Sequence, residues 1–139
     1  CTINYTDDVR VFAGALTGRR TWSTLPCQQI EGQYLKQALA HLELELVIFE
    51  DSDPRASFTG TIVNEVMHAP FRGFNRAQNA VIEAAVLTSR LNMLPEDKVK
   101  QEISYLRLAI EKTAGDRERE AWSWLIEKIK DYGIEVAHD

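Results

Sequence analysis

Two hydrophobic periods divide this chain of 139 residues. From Ala40 the period is two: Leu42, Leu44, Leu46 and Ile48 alternate with His41, Glu43, Glu45, Val47 and Phe49, which predicts a strand with one apolar face. Asp51-Ser52-Asp53-Pro54 has turn chemistry. The run from Phe58 to Val66 is rich in β-branched and aromatic residues, so the two segments read as an antiparallel hairpin. Gly60 inside the second strand predicts a bulge or a close backbone approach.

Beyond Pro70 the period lengthens. Asn75 suits an N-cap, and Ala77, Ala80, Val81, Ala84, Leu87 and Leu91 then fall on one helical stripe. Leu94-Pro95 breaks that helix, with Pro95 suited to the first turn of the next. Val99, Ile103, Leu106 and Ile110 form a second seam that stops near Gly115. Asp116 can cap a third helix, where Trp122, Leu125 and Ile129 face inward. Gly133 ends it, and Ile134 stands where a Schellman motif puts its hydrophobic contact.

The start of the chain is mixed. Cys1 to Tyr5 reads as a strand entered midway, as if a portion lay upstream; a lipidated N-terminal cysteine is the alternative. Thr6-Asp7-Asp8 offers N-cap oxygens to a short helix carrying Val9, Phe12, Ala13 and Leu16, with Gly18 as its stop. Residues 19–33 show no steady period and read as a loop. The order, strands then three helices, predicts an α+β fold. Three strands make a poor independent sheet, so the strand-rich part is expected to be one piece of a larger barrel or half of a dimer.

Composition narrows the function classes. No apolar run approaches the roughly 20 residues of a membrane helix. Sixteen basic against twenty-one acidic side chains give a net charge of -5, which argues against broad nucleic-acid binding. Two cysteines, Cys1 and Cys27, are too few for a disulfide scaffold, and a reduced, cytoplasmic setting is the default expectation.

The densest polar cluster is Phe71-Arg72-Gly73-Phe74-Asn75-Arg76, just before a helix. A helix start presents unpaired N–H groups, and two arginines beside it favour a phosphate or carboxylate. A capped helix with solvated arginines is the plainer reading of the same residues. Glu83, beside an apolar stripe, is an acid–base candidate or simply a solvent-facing carboxylate. His41, His68 and His138 share no ligand spacing, so no metal is expected. Phosphate-loop, dinucleotide and serine-hydrolase signatures are absent from the sequence. Cys27 is a candidate thiol without a flanking activator. Trp122 and Trp124 cannot both face one core, and Arg117-Glu118-Arg119-Glu120 reads as a solvated face of mixed sign.

Several stretches together resemble one family. Phe74-Asn75-Arg76-Ala77 leading into Ala80-Val81-Ile82-Glu83-Ala84-Ala85 is similar to the signature of a numbered family of unknown function, four-four-seven. So are Thr88, Arg90, Leu91, Leu94-Pro95 and the stretch from Glu111-Lys112-Thr113 to Arg117-Glu118-Arg119-Glu120-Ala121. Asn4-Tyr5-Thr6-Asp7-Asp8 with Phe12 resembles its strand-to-helix junction. The resemblance implies an FMN-binding antiparallel split β-barrel over residues 1–69, here partial, with a further half-barrel expected ahead of Cys1. It implies a C-terminal helical extension over 70–139, a three-helix bundle. It further implies a homodimer with FMN near the subunit interface and a setting in methanopterin-linked one-carbon metabolism.

On that reading the protein is a flavin-binding protein, in one form an oxidoreductase. Asn4 and Thr6 at a strand end are expected to donate hydrogen bonds to the cofactor, and Arg72, Asn75 and Arg76 to hold an anionic group. Two alternatives stand beside it. One is a dimeric interaction module without catalysis, and the other a binder of a phosphorylated or pterin-like metabolite.

Overall fold

A computed structural model describes residues 1–52 and 55–136. Asp53, Pro54 and His138, named above, lie outside the described residues. The chain divides into two compact units, one of residues 1–7 and 22–72 and the other of residues 8–21 and 73–139.

The first unit is all β. Strands β1 (Thr2–Tyr5), β4 (Ala40–Glu50) and β5 (Ser57–Met67) form an antiparallel sheet in the order β1-β4-β5. Strands β2 (Thr24–Pro26) and β3 (Gln33–Leu35) form a separate antiparallel pair. Among the described residues no sheet closes into a barrel. Two of these strands correct the loop expected over 19–33. A three-residue strand is too short to show a period, and here side chains of β1 anchor it. Thr2 Oγ1 donates to the Gln33 carbonyl at 3.0 Å, and the Leu35 amide donates to Asn4 Oδ1 at 2.8 Å.

The long hairpin also departs from simple alternation. His41, Leu42 and Glu43 are all buried, so both faces of β4 are covered at its start, whereas Leu46 to Phe49 are exposed on both faces. Glu43 is satisfied in its burial by the amides of the 27–30 turn, and His41 lies beside it with the Tyr34 ring stacked on its imidazole. Register shifts leave Val63 extra on β5 and Val47 extra on β4. At Gly60, opposite Leu46, an added Cβ would stand 3.0 Å from the Glu45 carbonyl oxygen, which is the close approach expected there.

The second unit holds four helices: α1 (Arg10–Thr17), α2 (Arg76–Thr88), α3 (Glu96–Thr113) and α4 (Asp116–Asp131). Its core includes Val9, Ala13, Val81, Val99, Ile103, Leu125, Ile126 and Ile129, so α1 joins the C-terminal helices instead of the strands. The stripes read for the three C-terminal helices are buried or half-buried, whereas Phe12 of the α1 stripe is 43% exposed. The helix ends differ in detail. The N-cap of α1 is Val9, with Asp8 Oδ1 accepting the Arg10 amide at 3.2 Å, and that of α3 is Pro95. Gly115, not Asp116, caps α4; Glu118 reaches back to its amide at 2.9 Å. Glu118 is therefore buried and not part of a solvated face. Gly18 and Gly133 are left-handed, and Gly133 and Ile134 donate to the carbonyls of Lys130 and Ile129, completing the Schellman motif. Trp122 is buried, while half-buried Trp124 lies under the Arg19 guanidinium, 4.9 Å from its ring centre. No described helix is long and apolar enough to cross a membrane.

Candidate functional site

The most concentrated polar chemistry of the first unit lies under the β2–β3 connection. The Cys27 amide donates to the Gly32 carbonyl at 3.0 Å, closing a turn whose next three amides converge on Glu43. Gln28 N–H donates to Oε1 at 2.9 Å; Gln29 and Ile30 N–H donate to Oε2 at 2.7 and 3.2 Å. From β5, Asn64 Nδ2 donates to Oε1 at 3.1 Å. His41, two residues earlier on β4, places Nε2 3.2 Å from Oε1. Both side chains are inaccessible, at 0% for Glu43 and 1% for His41.

Burial alone would push the Glu43 carboxyl up, because it disfavours charge. The amides of Gln28 and Gln29, with His41 and Asn64, outweigh it and hold the group down to about 2. Glu43 is thus a buried anion at neutral pH. An acceptor-only partner fixes the His41 tautomer: Nε2 carries the proton toward Glu43, leaving Nδ1 as an acceptor. Nδ1 lies 2.8 Å from Nε2 of His68, an exposed residue just past β5, which therefore donates to it. Tyr34 of β3 stacks on both imidazoles, with centroid distances of 3.9 and 4.9 Å. The three ring planes agree within 6°.

Cys27, His41 and Glu43 bring one ligand atom each within 4.8 Å of one another, a grouping worth testing as a metal centre. The donor set does not fit one. Five donors already occupy the two carboxylate oxygens, which offer about four lone-pair sites. Burial, and next the Glu43 charge, push the Cys27 thiol up, so it is neither a ready thiolate ligand nor an activated nucleophile.

The residues singled out from the sequence are placed differently. Asn4 is half-buried, its Oδ1 taken by the Leu35 amide and its Nδ2 donating to Thr2 Oγ1 at 3.3 Å. Thr6 is half-buried beyond β1. Arg72 is exposed in the first unit, and Arg76 exposed at the start of α2 in the second; neither pairs with a described carboxylate. Asn75 accepts the Ala77 amide at 2.8 Å and donates to the Thr113 carbonyl at 3.2 Å, which ties α2 to the end of α3. Glu83 faces solvent. Sequence reasoning missed Glu43, His41, His68 and Tyr34, since alternation assigned the first two to an outward face. Their spacing of two on one strand is the only signal the sequence carries for the pair.

Fold and site together define an α+β protein with an antiparallel β unit and a four-helix unit. The family described as "Protein of unknown function (DUF447) N-terminal domain" matches residues 1–69, and "Protein of unknown function (DUF447)" matches residues 75–127. The chain belongs to this family. Among solved structures it is similar to the crystal structure of an FMN-bound protein of the same family from Methanosarcina mazei. The two share 21% identity and a TM-score of 0.74, over 91% of this chain and 70% of that one. At that identity the likeness is one of fold. No curated protein matches the chain.

Proposed function

We propose that this chain binds FMN as a split-barrel flavoprotein and works as a homodimeric oxidoreductase. The observation that carries the reading is the shared fold with an FMN-bound member of its own family. Bound FMN would supply hydride and single-electron chemistry, and the protein its grip and orientation. The cations fit a phosphate: Arg72 and Arg76 are exposed guanidiniums without a described carboxylate partner. Asn4 and Asn75 fit less directly, because each amide oxygen is already an acceptor in the fold; each Nδ2 still has a second hydrogen to give. Thr6 completes the group read from the sequence. A place in methanopterin-type one-carbon metabolism follows from the family resemblance alone.

The homodimer is supported by the outer half of the hairpin. Val47, Phe49 and Phe58 are 65%, 57% and 62% exposed. Apolar side chains open on both faces of one hairpin suit a second copy better than water. The same surface favours the alternative of a non-catalytic interaction module. Fluorescence titration of the protein with FMN, beside light scattering, separates the two. Quenching of flavin emission supports the flavoprotein; a dimer that ignores FMN selects the module.

A further inference from the structure

We propose that Glu43, His41 and His68 form a proton relay, in which exposed His68 exchanges a single proton with a weakly acidic ligand group, buried His41 receives it, and Glu43 is a positioning residue. The proposal does not depend on FMN.

The chain of hydrogen bonds runs one way, from a buried anion to a surface base. Glu43 accepts from His41 Nε2–H, and His41 Nδ1 accepts from His68 Nε2–H. His68 Nδ1, the nitrogen turned from His41, then carries a lone pair. A proton arriving there makes His68 an imidazolium, and its Nε2 proton passes across 2.8 Å to His41 Nδ1. The positive charge ends on His41, 3.2 Å from the carboxylate, and His68 returns to neutral with its proton on Nδ1. One proton has entered, one hydrogen bond has reversed direction, and the charge is balanced by Glu43. A second proton would set two N–H groups against each other, so the pair stores one.

A Glu–His bond made only for stability could end at His41, which is buried. Here it continues to an imidazole in contact with water, and Tyr34 stacks on both rings and keeps them nearly coplanar. Among the described residues the titratable groups beside the pair include Glu43 on the same strand, Tyr34 on β3 and the Cys27 thiol in the turn, with the Cys1 ammonium acting on that thiol. Opposite His41 stand Asn4 on β1 and Val66 on β5, neither of which titrates.

The test is ring-nitrogen NMR of the whole chain across roughly pH 5 to 8, where imidazoles change charge. Wild type is expected to show His41 and His68 responding in one shared single-proton step. In Glu43→Gln that step should need about tenfold more acid, since an opposite charge at this range is worth about one to three pH units. In His68→Gln, solvent exchange of the proton that the relay places on His41 Nδ1 should slow about tenfold or more, the exposed imidazole being the route. Independent titration of the two rings in wild type would overturn the relay. So would unchanged His41 exchange in His68→Gln, even if Glu43→Gln proved too unstable to study.

Discussion

The Gln29 amide and Glu43 Oε2 stand 2.7 Å apart, the shortest of five hydrogen bonds that converge on one buried carboxylate. Three of those donors are successive backbone amides of the β2–β3 connection. The shape of that turn therefore depends on a charge carried by another strand. Its apolar residues are few, and what holds it is an anion whose donors come from the polypeptide itself.

Acid should release this arrangement. The Glu43 carboxyl sits near 2 in the folded protein against an ordinary 4.5, and Arg10 holds Asp8 below its ordinary value in spite of burial. A carboxylate depressed by folding contributes stability that is complete above its unfolded value and is lost as pH falls through the folded one. Urea midpoints should hold steady above about pH 5 and decline toward pH 2. Glu43→Gln should be less stable at neutral pH and lose much of that slope. An equal slope in wild type and variant would contradict the role assigned to Glu43.

Asn75 is expected to matter for the fold more than for a ligand. Its Oδ1 caps α2 through Ala77, and its Nδ2 reaches Thr113 at the end of α3. Asn75→Ala should cost about 1 kcal/mol, while Asn75→Asp keeps the cap and loses only the tie to Thr113. By contrast Arg76→Ala should leave stability near wild type and weaken FMN about 10- to 100-fold, the worth of one charge-assisted hydrogen bond. Riboflavin, which lacks the phosphate, should bind Arg76→Ala and wild type alike. Flavin fluorescence titrations read both.

The helical unit was legible because its physics is local and periodic. Val99, Ile103, Leu106 and Ile110 recur at the helical repeat, and Gly133 with Ile134 spells a helix end whose bonds are all within six residues. What escaped depends on partners far along the chain. Glu43 looks like the outward half of an alternating strand until the amides of 28–30 arrive to satisfy it. Glu118 looks like one of four solvated charges until Gly115 and Gln78 are placed beside it. Glu43 is decided by tertiary donors, which composition and period do not encode, and Glu118 by a capping amide three residues away together with Gln78 of another helix. At Asn75 the sequence carries both readings, a cap and an anion contact, and the structure commits its oxygen to the Ala77 amide.

The centre of the helical unit should tolerate truncation poorly. Leu125 and Ile126 of α4 are wholly buried among Val81, Val99 and Ile129. Leu125→Ala should destabilise by about 2–5 kcal/mol, the usual range for a cavity of that size. Denaturant unfolding followed by tryptophan emission would report it through Trp122. A loss below about 1 kcal/mol would mean that the helices can collapse onto the gap, and that this core is looser than its burial indicates.

The hairpin offers the most direct check on assembly. Val47 is the extra residue of a bulge on β4 and is 65% exposed, so its side chain opposes no partner on β5. A glutamate there leaves the ladder of this chain alone, and exposed substitutions of this kind change stability by no more than about 0.5 kcal/mol. In a homodimer that covers the hairpin, the same carboxylate would be taken out of water without a counter-charge, at a cost of several kcal/mol. Val47→Glu should therefore shift the molar mass measured by light scattering from two chains to one while thermal unfolding of the monomer stays in place. A variant that remains dimeric at micromolar concentration would place the subunit contact elsewhere and leave this surface to a different partner.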